Sequence, residues 1–306
     1  MIKVIALLAC RNEEKFIPSY LSSVTKIADQ IIAIDDKSND NTAKLLRDAG
    51  ATVIASGTEE MPGWAEYDIR QKLLELGRAA GGTHFIVLDA DETFTGNFVT
   101  IAKPLISKLT PGQRIQMRWL TMWKSVDHYK EDETVWTNNF KDFIFCDDGT
   151  SNYKKIWLHT PRTPGEYSSK ENSLVLNTKY GSVIHFSFSD WVGTQVKQSW
   201  CRCSELLKGF KNSDEINYHY AISMDHDSIV EPLPESWKVG VVFPKISYQD
   251  DINNLWRFKQ IEKWFKQYGP EHFSKLQIWY LPQIVELGKK VSEELLTEKK
   301  KVNEKK

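Results

Sequence analysis

Thr83-His84-Phe85-Ile86-Val87-Leu88-Asp89-Ala90-Asp91-Glu92 is an apolar run that ends abruptly on acids. Preceded by Gly81-Gly82, the run reads as a strand buried on both faces. Toward the N-terminus the same pattern repeats. Residues 3–9, 30–35 and 51–55 are strand-like apolar runs, and 13–26, 40–49 and 65–80 between them read as helices. Gly50 and Gly81-Gly82 are placed to end two of those helices. Buried strands alternating with helices predict an α/β fold with right-handed crossovers, its sheet parallel in the N-terminal half.

Ligands of such sheets bind beyond the carboxyl ends of the strands. The groups placed there are Arg11-Asn12-Glu13, Asp35-Asp36 and Asp89-Ala90-Asp91-Glu92. Asp89 and Asp91, on alternate residues leaving a strand, can both turn toward one hard divalent cation. The plainer alternative is a helix cap or a surface turn. Asp36, with Asp35, can accept from a nucleobase N–H or a ribose hydroxyl, while Asn39 or Asp40 suits the next helix cap. Arg11 offers paired donors to a phosphate. Glu13 is also explained as a favourable charge in a helix's first turn. Arg70 can reach a phosphate or base, or be solvated. His185, between Ile184 and Phe186, is either a metal ligand or a core residue.

Downstream the pattern shortens. Residues 114–123, 140–145, 155–159 and 182–188 read as strands that extend the sheet in mixed directions. Residues 192–209 and 251–268 read as helices, separated by Pro-rich stretches at 232–234 and 244. The chain's 306 residues, 41% of them hydrophobic, can bury a sizeable core. A net charge of −1 selects no partner by bulk attraction. Cys10, Cys146, Cys201 and Cys203 form no zinc-like spacing and read as reduced cytoplasmic thiols. There is no signal-peptide layout, and no apolar run approaches the roughly 20 residues of a membrane span.

Three of these stretches carry a family resemblance. Ile5-Ala6-Leu7-Leu8-Ala9-Cys10-Arg11-Asn12-Glu13 resembles the opening of family 2 glycosyltransferases of the GT-A fold. Ile34-Asp35-Asp36-Lys37-Ser38-Asn39-Asp40-Asn41-Thr42 is similar to that family's nucleotide-binding segment. Leu88-Asp89-Ala90-Asp91-Glu92 resembles its DXD metal motif. The resemblance implies inverting transfer from a nucleotide-sugar, a UDP-sugar first, with Mn²⁺ or Mg²⁺ as cofactor. By similarity Asp36 would contact the nucleobase or ribose, and Asp89, Asp91 and His185 would form the metal and diphosphate site; Arg11, Glu13, Asp35 and Arg70 join the expected donor contacts by position. The catalytic candidates by position are Asp142, Asp147, Asp148 and His159, with Asp142 and His159 first. In one branch of the family a His-Glu pair stands near the place of Leu158-His159-Thr160-Pro161, where the Glu is absent.

The expected organisation is a GT-A domain over 1–190, with a nucleotide-sugar half (1–95) and an acceptor half (96–190). A helical extension follows over 191–288, then a charged, disordered tail over 289–306. The acceptor is a saccharide or glycan by default. A modified DNA base is the other candidate, because Leu255-Trp256-Arg257-Phe258-Lys259, Lys263-Trp264-Phe265-Lys266 and Trp279-Tyr280 interleave aromatic and basic residues. Helical spacing of Leu255, Phe258, Ile261, Phe265 and Tyr268 favours an ordinary amphipathic helix instead. Two other functions compete. Asp89-Ala90-Asp91-Glu92-Thr93 also fits the D-x-D-x-T nucleophile pattern of haloacid-dehalogenase-like phosphatases. That pattern opens its domain, whereas here it ends a fourth strand. A non-catalytic sugar- or nucleic-acid-binding module is the other, and the intact Asp pair counts against it.

Overall fold

A computed structural model describes residues 1–57, 65–132, 137–156, 160–165, 172–209, 211–221, 228–246 and 252–303. The chain divides into two compact units, Met1–Ser187 with Ile229–Ile246, and Phe188–Ser228 with Ser247–Lys306.

The first unit begins as expected. Strands β1 (Val4–Cys10), β2 (Gln30–Asp35), β3 (Thr52–Ala55) and β4 (His84–Ile86) alternate with helices α1 (Ile17–Ile27), α2 (Thr42–Asp48) and α3 (Glu66–Ala79). Helix α1 starts later than the pattern suggested. Pro18 lies in its first turn, where a missing N–H costs little. Gly50 and Gly81, at φ +83° and +78°, follow α2 and α3 in the left-handed conformation that closes helices.

Then come β5 (Glu92–Phe94), α4 (Gly96–Ile106), β6 (Arg114–Thr121), β7 (His128–Lys130), β8 (Phe140–Cys146), β9 (Ser173–Val175) and β10 (Val183–His185). The sheet order is β3-β2-β1-β4-β8-β6-β10-β5, with β9 beside the start of β6. The first four strands are parallel, and β8 runs antiparallel to both β4 and β6. The fold is therefore α/β with a mixed sheet, parallel at its N-terminal half. Of the expected strand at 155–159, residues 155–156 are irregular, and 157–159 lie outside the described residues.

Alternation along each strand explains the two-sided core. Val4, Ala6 and Leu8 face a cluster with Ile17, Tyr20 and Phe98, whereas Ile5 and Leu7 face one with Leu73, Leu74 and Phe85. Helix α3 lies flat on β4 because Gly77 has no side chain. A Cβ there would sit 2.4 Å from Phe85 Cε1.

Residues 229–246 were expected in the helical extension, but they belong to the first unit. Strand β11 (Val230–Pro232) pairs with β7, and Leu233 N–H donates to Asp127 C=O at 2.8 Å. Beyond it, α7 (Glu235–Lys238) leads to Gly240, whose carbonyl accepts from Lys26 Nζ on α1 at 3.0 Å.

The second unit contains α5 (Trp191–Lys208), α6 (Ser213–Ala221), α8 (Trp256–Tyr268) and α9 (Pro282–Asn303). Asp190 caps α5 by accepting from Gly193 N–H at 2.9 Å. Helix α8 buries Phe258, Ile261 and Phe265 of the expected stripe, with Trp264 beside them, whereas Tyr268 at its end is exposed. The segment expected as a disordered tail is helical as far as Asn303. Ile284, Leu287 and Val291 are buried near its start, so one apolar stripe anchors a helix whose later turns are charged.

His84 on β4 gives a pH-dependent signature. It is 4% exposed, and burial pushes its pKa below the usual value. In the unfolded chain it protonates near about pH 6.5. Stability from the neutral imidazole is therefore present above about pH 6.5 and lost below it, where the unfolded state binds more protons. Between about pH 7.5 and pH 5.5 the urea midpoint should fall further for wild type than for His84→Gln. Equal falls would exclude this role.

Candidate active site

Two turns at the carboxyl edge of the parallel strands are latched together. After β1, Asn12 N–H donates to Ser38 Oγ at 2.9 Å, and Asn12 Oδ1 accepts from Asn39 N–H at 2.8 Å. Glu13 N–H donates to Thr42 Oγ1 at 2.7 Å, and Arg11 Nη1 donates to the Asp36 carbonyl. After β2, Asp35 accepts from Ser38 N–H at 3.2 Å, and the buried Asp36 accepts from Ser56 Oγ at 2.9 Å. Asn12 and Lys37 both have positive φ, +51° and +61°. Such conformations cost about 1–3 kcal/mol and persist where surrounding bonds over-determine them. The structure thus brings Arg11, Glu13, Asp35 and Asp36 to one edge. Asp40 serves the start of α2, accepting from Thr42 N–H at 2.9 Å.

The second cluster follows β4. The antiparallel pairing of β5 with β10 sets His185 opposite Glu92. Phe186 N–H donates to Asp91 C=O at 2.8 Å, and His185 Nε2 lies 3.5 Å from Asp91 Oδ2. Ligand-capable atoms of Asp91, Glu92 and His185 all lie within 4.8 Å of one another, and all three residues are buried. On β6, the Trp119 ring stacks on His185 at 4.0 Å between centroids and donates its indole N–H to Glu92 Oε1 at 2.6 Å. Lys141 Nζ sits 3.7 Å from the centre of the same indole.

Asp89 stands slightly apart, held by two arginines. Arg162 Nη2 reaches Asp89 Oδ2 at 2.7 Å, and Arg70 Nη2 approaches Oδ1 at 3.5 Å. Burial works to raise the Asp89 carboxyl, but Arg162 and then Arg70 overcome it and hold it below the usual carboxylate range. Burial pushes the Glu92 carboxyl up, against the pull of Arg162.

Sequence reasoning missed Arg162, Trp119 and the placement of Glu92. Arg162 comes from an irregular stretch, 160–165, tied down at several points. Thr160 N–H donates to Glu66 Oε2 at 3.2 Å, Tyr153 Oη donates to Arg162 C=O at 2.8 Å, and Arg114 Nη2 donates to Pro164 C=O at 3.2 Å. The flanking prolines, Pro161 and Pro164, were the available signal of a stiff loop.

Asp142 does not join the cluster. Lys141 and Phe143 share a face of β8, against Trp119 and Arg162 respectively. Alternation turns Asp142 to the other face. There it lies 3.6 Å from Arg114 Nη1 and accepts from Thr163 Oγ1 at 3.4 Å, a structural tie. His159 lies outside the described residues.

Residues 6–111 match the family described as Glycosyl transferase family 2. Over that segment, about a third of its length, the chain is similar to glycosyltransferase family 2. No curated protein matches the chain. Among solved structures, S. aureus TarS is 17% identical over 64% of this chain and 38% of its own, with a TM-score of 0.38. Mannosyl-3-phosphoglycerate synthase from Rubrobacter xylanophilus is 22% identical over 40% and 41%, with a TM-score of 0.30. Glucosyl-3-phosphoglycerate synthase from Mycobacterium tuberculosis, in complex with Mn²⁺ and uridine-diphosphate-glucose, is 22% identical over 39% and 44%, with a TM-score of 0.28. The chain spans less than half the length of each.

Trp119→Phe should keep the ring on His185 and lose the N–H to Glu92. Hydrogen bonds to charged groups are worth about 1.5–3 kcal/mol, and the unfolding free energy in urea should fall by about that much. Wild-type stability in this variant would show that Glu92 does not depend on Trp119.

Proposed function

We propose that this protein is an inverting, metal-dependent glycosyltransferase that moves a sugar from a nucleotide-sugar to an acceptor hydroxyl, with a UDP-sugar the first donor to test. The observation that carries the reading is the buried Asp91–His185 pair, 3.5 Å apart, at the ligand edge of the family 2 segment. A carboxylate and an imidazole suit a divalent metal. Carboxylates accept Mg²⁺ or Mn²⁺, and the nitrogen tilts the choice toward Mn²⁺. Bound there, such a cation would neutralise charge on a departing diphosphate.

The chain's own residues do the rest by position. Asp91 and His185 are the metal-facing pair. Asp35 and Asp36 stand where a base N–H or ribose hydroxyl would arrive, and Arg11 and Glu13 lie on the turn latched to theirs. Arg70 extends from α3 beside Asp89. The latched turns keep these groups in place before substrate arrives, which lowers the entropic cost of orienting the donor. In the inverting reaction the acceptor hydroxyl attacks the anomeric carbon as the nucleoside diphosphate leaves from the opposite face.

A glycan acceptor is favoured over modified DNA, because Phe258, Trp264 and Phe265 are spent in the core of the helical unit. The phosphatase reading weakens as well, since Asp89, its nucleophile, has Arg162 on one oxygen and Arg70 near the other. All four cysteines are free thiols, which suits the cytoplasmic setting expected. Among the described residues no helix is long and apolar enough to cross a membrane.

The test is a panel of nucleotide-sugars incubated with the protein and Mn²⁺, with and without glycan acceptors. Release of nucleoside diphosphate from at least one donor is expected. Asp91→Asn should slow it by roughly 10²–10³-fold, comparable to losing a key electrostatic group elsewhere. No release from any donor, or near-normal turnover in Asp91→Asn, overturns the reading.

A further inference from the structure

Distance alone makes Glu92 a third cation ligand beside Asp91 and His185. Its hydrogen bonds argue otherwise. Oε1 accepts from Arg162 Nη2 and Trp119 Nε1, each at 2.6 Å. Oε2 accepts from Arg162 Nη1 and from the Asp89 backbone N–H, each at 2.8 Å. A carboxylate offers about four lone-pair sites, and donors meet all of them here. The same guanidinium takes Asp89 Oδ2 at 2.7 Å and also donates to Val87 C=O at 3.1 Å. Its four terminal N–H groups are therefore directed at the protein, in the paired geometry that makes arginine–carboxylate contacts strong.

This changes what a bare cation meets. Asp91, Glu92 and His185 would chelate a cation by themselves, since their ligand-capable atoms all lie within 4.8 Å of one another. Arg162 holds both oxygens of Glu92, and a metal could take that carboxylate only by displacing it. Both Arg162 and Glu92 are nearly sealed from water, with side chains 10% and 0% exposed, so breaking their pair would strand a buried charge.

We propose that Arg162 is a positioning residue that withholds Glu92 from a bare divalent cation, so that Mn²⁺ binds weakly until a nucleoside diphosphate adds its own oxygens. The proposal rests on the metal-dependent reading above. With the protein's ligand set narrowed to Asp91 and His185, most of a six-coordinate shell must come from water or phosphate. Metal and nucleotide then strengthen each other's binding by the same factor, as linkage requires.

The test is a titration of Mn²⁺ into the full chain, reading free Mn²⁺ by electron paramagnetic resonance, alone and with UDP or GDP. Wild type should bind Mn²⁺ at least about tenfold more tightly with one of the nucleotides present, within the usual range of coupling between sites. Arg162→Gln should do the reverse of ordinary damage. Its affinity for Mn²⁺ alone should rise by at least about tenfold, and the gain from nucleotide should shrink. If that variant does not fold, Arg162→Lys replaces it, since lysine keeps the charge and loses the paired geometry. A rise of about threefold or more in Mn²⁺ affinity is then expected. Unchanged or weakened Mn²⁺ binding in the folded variant overturns the proposal while leaving the transferase reading intact. No Mn²⁺ binding by wild type with or without nucleotide overturns both.

Discussion

A carboxylate with no contact to water sits at the centre of the candidate site, and much of that site is arranged around it. Glu92 is fully buried. Moving a charged carboxylate out of water costs several kcal/mol even after relaxation, unless partners replace its hydration. Those partners arrive from three directions: Trp119 on β6, Arg162 from the stretch after residue 160, and the Asp89 backbone in the turn after β4. The condition that Glu92 be satisfied therefore fixes these segments relative to one another. It also fixes what they carry, since the indole that serves Glu92 is the one stacked on His185.

The edge beyond β1 and β2 follows the same logic with weaker groups. The turns after β1 and β2 have exposed or partly buried polar atoms, and each supplies what the other lacks. Asn41 donates to Glu14 through both its backbone and its side chain at 2.9 Å, and Glu14 N–H donates to Asp40 at 3.2 Å. Two non-glycine residues in left-handed conformations are held in place by this mutual bonding.

Legibility in the sequence tracks burial pattern. Strands β1, β2 and β4 are covered on both faces, so they appear as continuous apolar runs. Strand β5 was illegible, because Glu-Thr-Phe looks like a turn and its glutamate is buried only through distant donors. Helix α4 was hidden by Gly96 at its start and Pro104 inside it. The interleaved aromatics of α8 fitted two readings, and packing chose the core. Asp142 had suitable chemistry, but strand parity turned it away from the cluster.

The sequence by itself determined the α/β alternation, the strand edge on which the acids gather and the identity of those acids. Period and punctuation are local properties, and a strand's carboxyl end is known once its direction is known. Only the tertiary structure decided what each acid does. Asp89, Asp91 and Glu92 are near neighbours along the chain, yet one is held between arginines, one faces an imidazole and one is consumed by hydrogen bonds. Those roles depend on Trp119, Arg162 and His185, which lie 27, 70 and more residues beyond Glu92 and reach it only through sheet register and a tethered loop.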